Sequence, residues 1–292
     1  MKIDTPLRRF AAEFSESRLA LIGLALCALL LLIALFAPLL APQNPYDPRA
    51  LSILDGRLPP GSGGPEGMVY WLGTDTQGRD ILSAILYGLR ISLGVGVLSA
   101  VFALALGTVL GLLAAYFGGR TDAFLMRAVD IQLGFPSILV ALILLSVLGK
   151  GVDKIIIALV IVQWAYYARA VRGTALVERG KDYMEAARCL ALRHRDIVFR
   201  HLLPNCLPPL IVVATVQVAH AIALEATLSF LGVGLPISEP SLGLLIANGF
   251  QFMLSGKYWV SLFPGIALLV MIVAINLVGD QLRDVLNPRL RK

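Results

Sequence analysis

Charge is scarce in this sequence. Asp, Glu, Lys and Arg make up 15% of the 292 residues, against about 25% in an ordinary soluble domain. With 58% hydrophobic residues and a mean hydropathy of +0.80, this argues against a soluble globular protein and for a chain dissolved in a bilayer. Cysteine and histidine are scarce too. Cys27, Cys189 and Cys206 form no CxxC pair, and His194, His201 and His220 fall at no metal-ligand spacing, so neither a disulfide framework nor a metal site is expected. The net charge of +6 is dispersed between oily runs, with no dense basic stripe and interleaved aromatics, so no nucleic-acid partner is expected. No G-x-x-x-x-G-K-[ST] run occurs either, so no ATPase activity is expected of this chain.

Long apolar runs are abundant. Residues 19–40 are uncharged, and 22 residues make roughly 33 Å of helix, enough for the hydrocarbon core. A cleaved signal peptide would have an apolar core of only about 7–15 residues, so this run reads as a retained first span. Further spans are expected at 91–117, 131–148, 155–167, 207–231 and 259–278, six in all. Pro136 should kink the third near its start. The fourth is short unless it continues through Arg169, whose side chain can snorkel. A tight link at 149–155 makes the third and fourth an antiparallel hairpin.

The basic residues test this count. Of the 25 Lys and Arg, 18 lie in the segments that six spans would place on one side, and seven on the other. The positive-inside bias then puts both termini and the 181–205 segment in the cytoplasm.

The outer segment 42–70 is rich in Pro and Gly turns and should hold little regular structure. After Thr76-Gln77-Gly78 the apolar positions Ile81, Leu82, Ile85, Leu86 and Leu89 recur at helical spacing. A short helix lying along the outer membrane surface and leading into the second span fits them. Gly107 and Gly111 make a small-xxx-small face for close helix packing. Glu225 is the one acid inside a span, where a charge is expensive unless paired, hydrated or protonated. Gln217, His220 and Glu225 share one broad side of a helix, with Ser229 following. This suits a gate or path as well as a helix contact, or a proton or cation site in a secondary transporter.

The segment 181–205 is polar and basic between two oily runs. Asp182 and Glu185 look like an N-cap and its capping-box partner. Small Ala186 and Ala187 permit close approach of another protein surface. A second helical run should end before Pro204. A helix-turn-helix anchored to spans at both ends can transmit a partner's movement to them.

Here the residues resemble a known family. Glu185, Ala186 and Ala187, followed by His201, Pro204 and Asn205, resemble the EAA loop of bacterial ATP-binding-cassette importer permeases. The glycine usual six residues after the glutamate is replaced by Ala191, which makes a left-handed turn there less favourable. The run 72–80, with Gly73, Thr74, Asp75, Gly78, Arg79 and Asp80, and then Gly88 and Arg90, resembles the C-type subunit of dipeptide and oligopeptide permeases. Leu262-Phe263-Pro264-Gly265, the 276–280 run and Asn287-Pro288-Arg289 resemble its last span and tail.

The resemblance implies an all-α polytopic fold of the type I (MetI-like) importer class. Residues 1–70 would carry the first span and the start of the outer loop, and 71–292 the outer helix and a five-helix permease core. It also implies an inner-membrane heterodimer with a second homologous permease, two ATPase subunits or domains, and an extracytoplasmic solute-binding protein. ATP and magnesium would be bound by the ATPase partners, and no cofactor by this chain. The implied cargo is a di- or oligopeptide. Nickel, glutathione or another small solute is the alternative within the same architecture.

Overall fold

The computed structural model describes residues 6–47, 51–64 and 67–286. The Asn287-Pro288-Arg289 tail lies outside the described residues. The chain opens with α1 (Pro6–Ser15), an amphipathic helix. Its Phe10 and Phe14 pack on Leu282 and Val285 near the other end of the chain. Then α2 (Arg18–Leu40), capped by the Ser17 hydroxyl on Ala20 N–H, packs on the last helix, with Gly23 set against Ala274 and Leu277. The following segment holds a 3-10 turn (Ile53–Asp55) and a two-residue antiparallel pair, β1 (Ser62–Gly63) and β2 (Val69–Tyr70). Regular structure is as sparse there as the proline content suggested.

The next element corrects one expectation. There is no separate surface helix: α3 (Ile81–Phe117) is one uninterrupted 37-residue helix, about 55 Å long at 1.5 Å per residue. Ile81, Ala84, Ile85 and Leu89 are buried against α2 and later elements rather than laid on lipid. Helical hydrophobic spacing reports a buried face without saying whether membrane or protein covers it.

The third span is also not straight. α4 (Gly119–Gly134) and α5 (Ser137–Leu148) are bent by 92° across Phe135 and Pro136. Pro136 locks its own φ and pushes Phe135 into extended backbone, which ends α4. Three residues separate α5 from α6 (Val152–Arg179), a tighter hairpin than expected. At 28 residues α6 far exceeds the 155–167 run, because Arg169 and Arg172 are matched by Asp130 and Asp122 of α4. Gly107 and Gly111 meet α6 at contact distance. A Cβ at Gly107 would lie 2.4 Å from Trp164 O, and one at Gly111 2.6 Å from Ala168 O.

After α7 (Asp182–Cys189) and the short α8 (His194–Asp196), a π-helical turn at Ile197–Leu202 feeds α9 (Leu203–Phe230). The helical run therefore does not end before Pro204. That residue falls in the first turn of α9, directly after the π-helical turn. An element absent from the sequence reading follows: α10 (Leu242–Phe250), nine residues sunk among α3, α9 and α11 (Trp259–Leu286). Leu242, Leu244 and Leu245 are buried, and Gly243 lies so close to Ala226 that a Cβ would be 2.3 Å from its carbonyl oxygen. By length and composition five helices can cross a bilayer, and the bent pair makes six if taken as one span.

Candidate functional site

Three places gather the polar residues of this oily chain. The first is the elbow between α6 and α9. Its lever, α7, does not use Asp182 as a cap: the helix begins at that residue after Lys181, whose side chain makes no capping bond. The lever is held instead from beneath. Met184 and Ala187, one turn apart, are buried against Tyr116, Ala175, Ile197 and Leu202. Ala187 thus faces the protein's own core, while Glu185, Ala186 and Arg188 face outward.

A polar chain crosses the elbow's base. Glu178, at the end of α6, accepts from Lys181 Nζ at 2.7 Å and from Tyr183 OH at 2.9 Å. Asn205 Nδ2 donates to Tyr183 OH at 3.2 Å and to His201 O at 2.7 Å. Three helices are tied at one tyrosine. Burial and the Glu178 carboxylate push the Tyr183 phenol up to about 12, so it stays a hydrogen-bond donor throughout the physiological range. Arg179 Nη1 donates to Ala115 O at 2.9 Å, and Tyr116 OH meets His194 Nδ1, which ties the elbow to the end of α3.

The exit from α7 corrects the expectation for Ala191. It adopts the left-handed conformation, with φ +50°. Ala191 N donates to Arg188 O at 2.9 Å and Leu192 N to Ala187 O at 3.3 Å, the paired bonds of a Schellman cap. Those bonds hold an alanine where a glycine would sit without strain. His201 is half-buried, and Pro204 and Asn205 are exposed beside α7.

The second place is the outer turn 72–83. Asp75 Oδ1 accepts from Gln77 N at 2.7 Å and Arg79 N at 3.0 Å, and Asp75 N donates to Arg79 O at 2.9 Å. Gly78, at φ +77°, closes the turn against Ser52, where a Cβ would lie 2.0 Å from the carbonyl oxygen. Thr74 Oγ1 accepts from Leu58 N and donates to Asp55 O. Arg79 Nη2 reaches Ile237 O at 3.1 Å. Asp80 caps α3 by accepting from Ser83 N and Ser83 Oγ, while its own N–H donates to Gln43 Oε1 at 2.8 Å. Asp75, Arg79 and Asp80 are all buried. Burial raises the Asp75 carboxyl against the pull of its backbone donors and Arg79, and lowers the Arg79 guanidinium. The turn is a clamp that joins Gln43 and the 52–58 segment to the head of α3 and the loop after α9. Gly73 sits against Leu58 and Trp259, Gly88 against Leu242, and Arg90 is exposed.

The third place lies within the helices. Glu225 is fully buried, and its partners among the described residues are hydroxyls: Ser92 of α3 at 3.0 Å, Ser229 one turn on at 2.8 Å, and Ser241, the N-cap of α10. It joins α3, α9 and α10. Gln217 stands apart from it, two turns earlier, where its main-chain carbonyl accepts from Gln163 Nε2 at 3.0 Å. His220 packs edge-on against Tyr166. The four residues at 217–229 therefore form no single constellation. The sequence reading missed Ser92, Ser241 and Gln163, because a lone hydroxyl or amide in an oily run carries no periodic signal.

A polar elbow tied to a bundle of membrane-length helices defines a class: a polytopic membrane protein whose one large basic segment lies outside the spans. The sequence matches the family described as binding-protein-dependent transport system inner membrane component over residues 107–292. It also matches the N-terminal TM domain of oligopeptide transport permease C over residues 5–60. The chain belongs to this family of ATP-binding-cassette importer permeases. It is a multi-pass inner-membrane permease subunit without ATPase activity of its own.

Among its relatives, the dipeptide transport system permease protein DppC of Haemophilus influenzae is 37% identical over 99% of this chain and 96% of its own length. The oligopeptide transport system permease protein OppC of Bacillus subtilis is 37% identical over 96% and 88%. The fold is that of the MetNI methionine transporter solved in inward-facing form, with TM-score 0.58 at 22% identity over 70% of this chain and 97% of that one.

Proposed function

We propose that this chain is one of two permease subunits lining the path of a di- or oligopeptide importer, and that α7 is where ATPase subunits dock. The basic elbow faces the cytoplasm, as do both termini, because 18 of the 25 Lys and Arg lie on that side. The binding protein meets the outer face, where the 72–83 clamp lies. The substrate class rests on relatives whose names specify dipeptide or oligopeptide transport.

One observation carries the coupling role. The buried face of α7 is pinned to α3, α6 and α9 through Met184, Ala187 and the Glu178-Tyr183-Asn205 chain, while Glu185, Ala186 and Leu190 stay exposed. A push on the exposed face reaches three spans with little slack. His201, Pro204 and Asn205 flank the lever at the head of α9 and move with it. Glu225, with Ser229, holds α10 to the bundle as a brace for the outer gate, and Gln217 and His220 pack between spans.

Reconstituted with a second permease, ATPases and a binding protein, the complex takes up labelled peptide when ATP is supplied, and an ionophore leaves uptake intact. Uptake that follows an ion gradient without ATP would overturn the reading. Glu185→Lys reduces ATPase co-purification severalfold with membrane insertion unchanged.

A further inference from the structure

We propose that the groove between α3 and α9 binds one anionic phospholipid, its phosphate held by Arg195 and Arg200 and one acyl chain laid along the helices. Where α3 meets α6 the glycines bring the helices into contact; against α9, α3 is in contact at Ser92 and Gly96 and leaves a gap from Val97 onward. The gap is a cavity of about 500 Å³ lined by Leu104, Ala105, Leu112, Leu203, Ile211 and Ala214. It runs from Val97 to Leu112, about 22 Å of helix at 1.5 Å per residue. That exceeds the roughly 15 Å depth of one leaflet.

The groove is apolar, and its basic end is not. Val109, Leu112 and Phe199 also line a second hollow beside Tyr116, Phe117, His194 and Arg195. Phe199 and Arg195 in turn border a third, of about 580 Å³, bounded by Arg193, Asp196 and Arg200. Shared walls therefore set the hydrocarbon-lined groove beside a hollow edged by three guanidinium groups and a single carboxylate. Asp196 lies 3.5 Å from Arg200 Nε and offsets one charge of three. The forked guanidinium suits phosphate oxygens, and basic residues at a membrane surface favour anionic headgroups.

The groove's chemistry rejects other occupants. A peptide would bring backbone N–H and C=O groups that need partners. The wall offers only Thr108 and Thr215, and the Thr215 hydroxyl is spent on Val212 O. A neighbouring apolar helix would fill the groove and leave the guanidinium hollow unmatched. A lipid with an anionic head fills both.

Placing the headgroup at the cytoplasmic leaflet rests on the orientation proposed above, but binding in detergent does not. The test is native mass spectrometry of the full-length chain in its complex, delipidated and then titrated with palmitoyl-oleoyl phosphatidylglycerol or its phosphatidylcholine counterpart. Phosphatidylglycerol is retained in preference. R195Q/R200Q weakens its retention about tenfold, and R195K/R200K preserves most of it. Ala105→Trp, which fills the groove, lowers retention of both lipids. Equal phosphatidylglycerol retention by R195Q/R200Q and the unaltered chain would overturn the proposal. So would release of the second permease by Ala105→Trp with lipid still bound, which would make the groove a subunit interface. Competition by glycerol 3-phosphate as effective as by whole lipid would remove the acyl chain from the site and overturn it equally.

Discussion

The two ends of this molecule handle charge in opposite ways. At the outer end, Asp75, Arg79 and Asp80 are buried in a clamp whose turns are closed by glycines at positive φ. At the elbow between α6 and α9, Lys181, Glu185, Arg188, Arg193 and Arg195 are exposed, and the left-handed turn is made by an alanine. Buried charge held by backbone donors and acceptors leaves a clamp few alternative arrangements, because each partner lost strands a desolvated group. Exposed charge on an apolar-backed lever leaves a surface free to meet a partner. One end is closed on itself, and the other presents its charge to the surroundings.

The comparison is broken most severely at Gly78. Gly78→Ala sets a Cβ against Ser52 O in a backbone conformation that disfavours side chains. It should cost about 2–4 kcal/mol, read as a lowered thermal midpoint in detergent and faster proteolysis between residues 43 and 80. Gly107→Leu, which wedges α3 from α6, should cost about 1–3 kcal/mol, with the outer clamp still protected from protease.

At the elbow the effects are smaller. Tyr183→Phe removes the donor to Glu178 and should lower stability by about 1 kcal/mol at neutral pH. The sign with pH follows from the raised phenol. The folded state holds the proton more tightly than the unfolded one, so the contribution is full below about pH 10. It is lost as pH rises towards 12, the folded value, and Tyr183→Phe should lack this alkaline loss. The smallest effect is a gain. Ala191→Gly relieves a side chain in left-handed backbone and should stabilise by about 0.5–1 kcal/mol, seen as slower amide exchange at residues 188–192.

Hydropathy made the spans legible, since in a bilayer every crossing helix must be long and oily. It blurred wherever protein, not lipid, covers the helix. The apolar positions of residues 81–89 recur as those of a surface helix would, yet Ile81, Ile85 and Leu89 are buried by α2, α10 and α11. Nine residues are too few to register as a span, so α10 went unseen inside the outer loop. Pro136 marked a break, but its 92° bend depends on how α5 packs against α6. The Thr74-to-Asp80 run was legible as a family signature. Its buried charges were not, because burial of Asp75 depends on backbone donors, and that of Arg79 on the Ile237 carbonyl acceptor, which only the fold brings into place. At the elbow, the EAA residues were visible by pattern, while the inward turn of Ala187 and the Glu178-Tyr183-Asn205 tie required the tertiary contacts.

The central claim is that the exposed face of α7 is a cytoplasmic seat for the ATPase. Cys189 lies exposed at the end of α7, whereas Cys206 is buried and Cys27 half-buried, so the chain carries its own probe. A membrane-impermeant thiol reagent should modify Cys189 in inside-out vesicles and not in intact cells, and added ATPase subunits should protect it. Modification from the outside, or labelling in inside-out vesicles that the ATPases leave unchanged, would contradict the account.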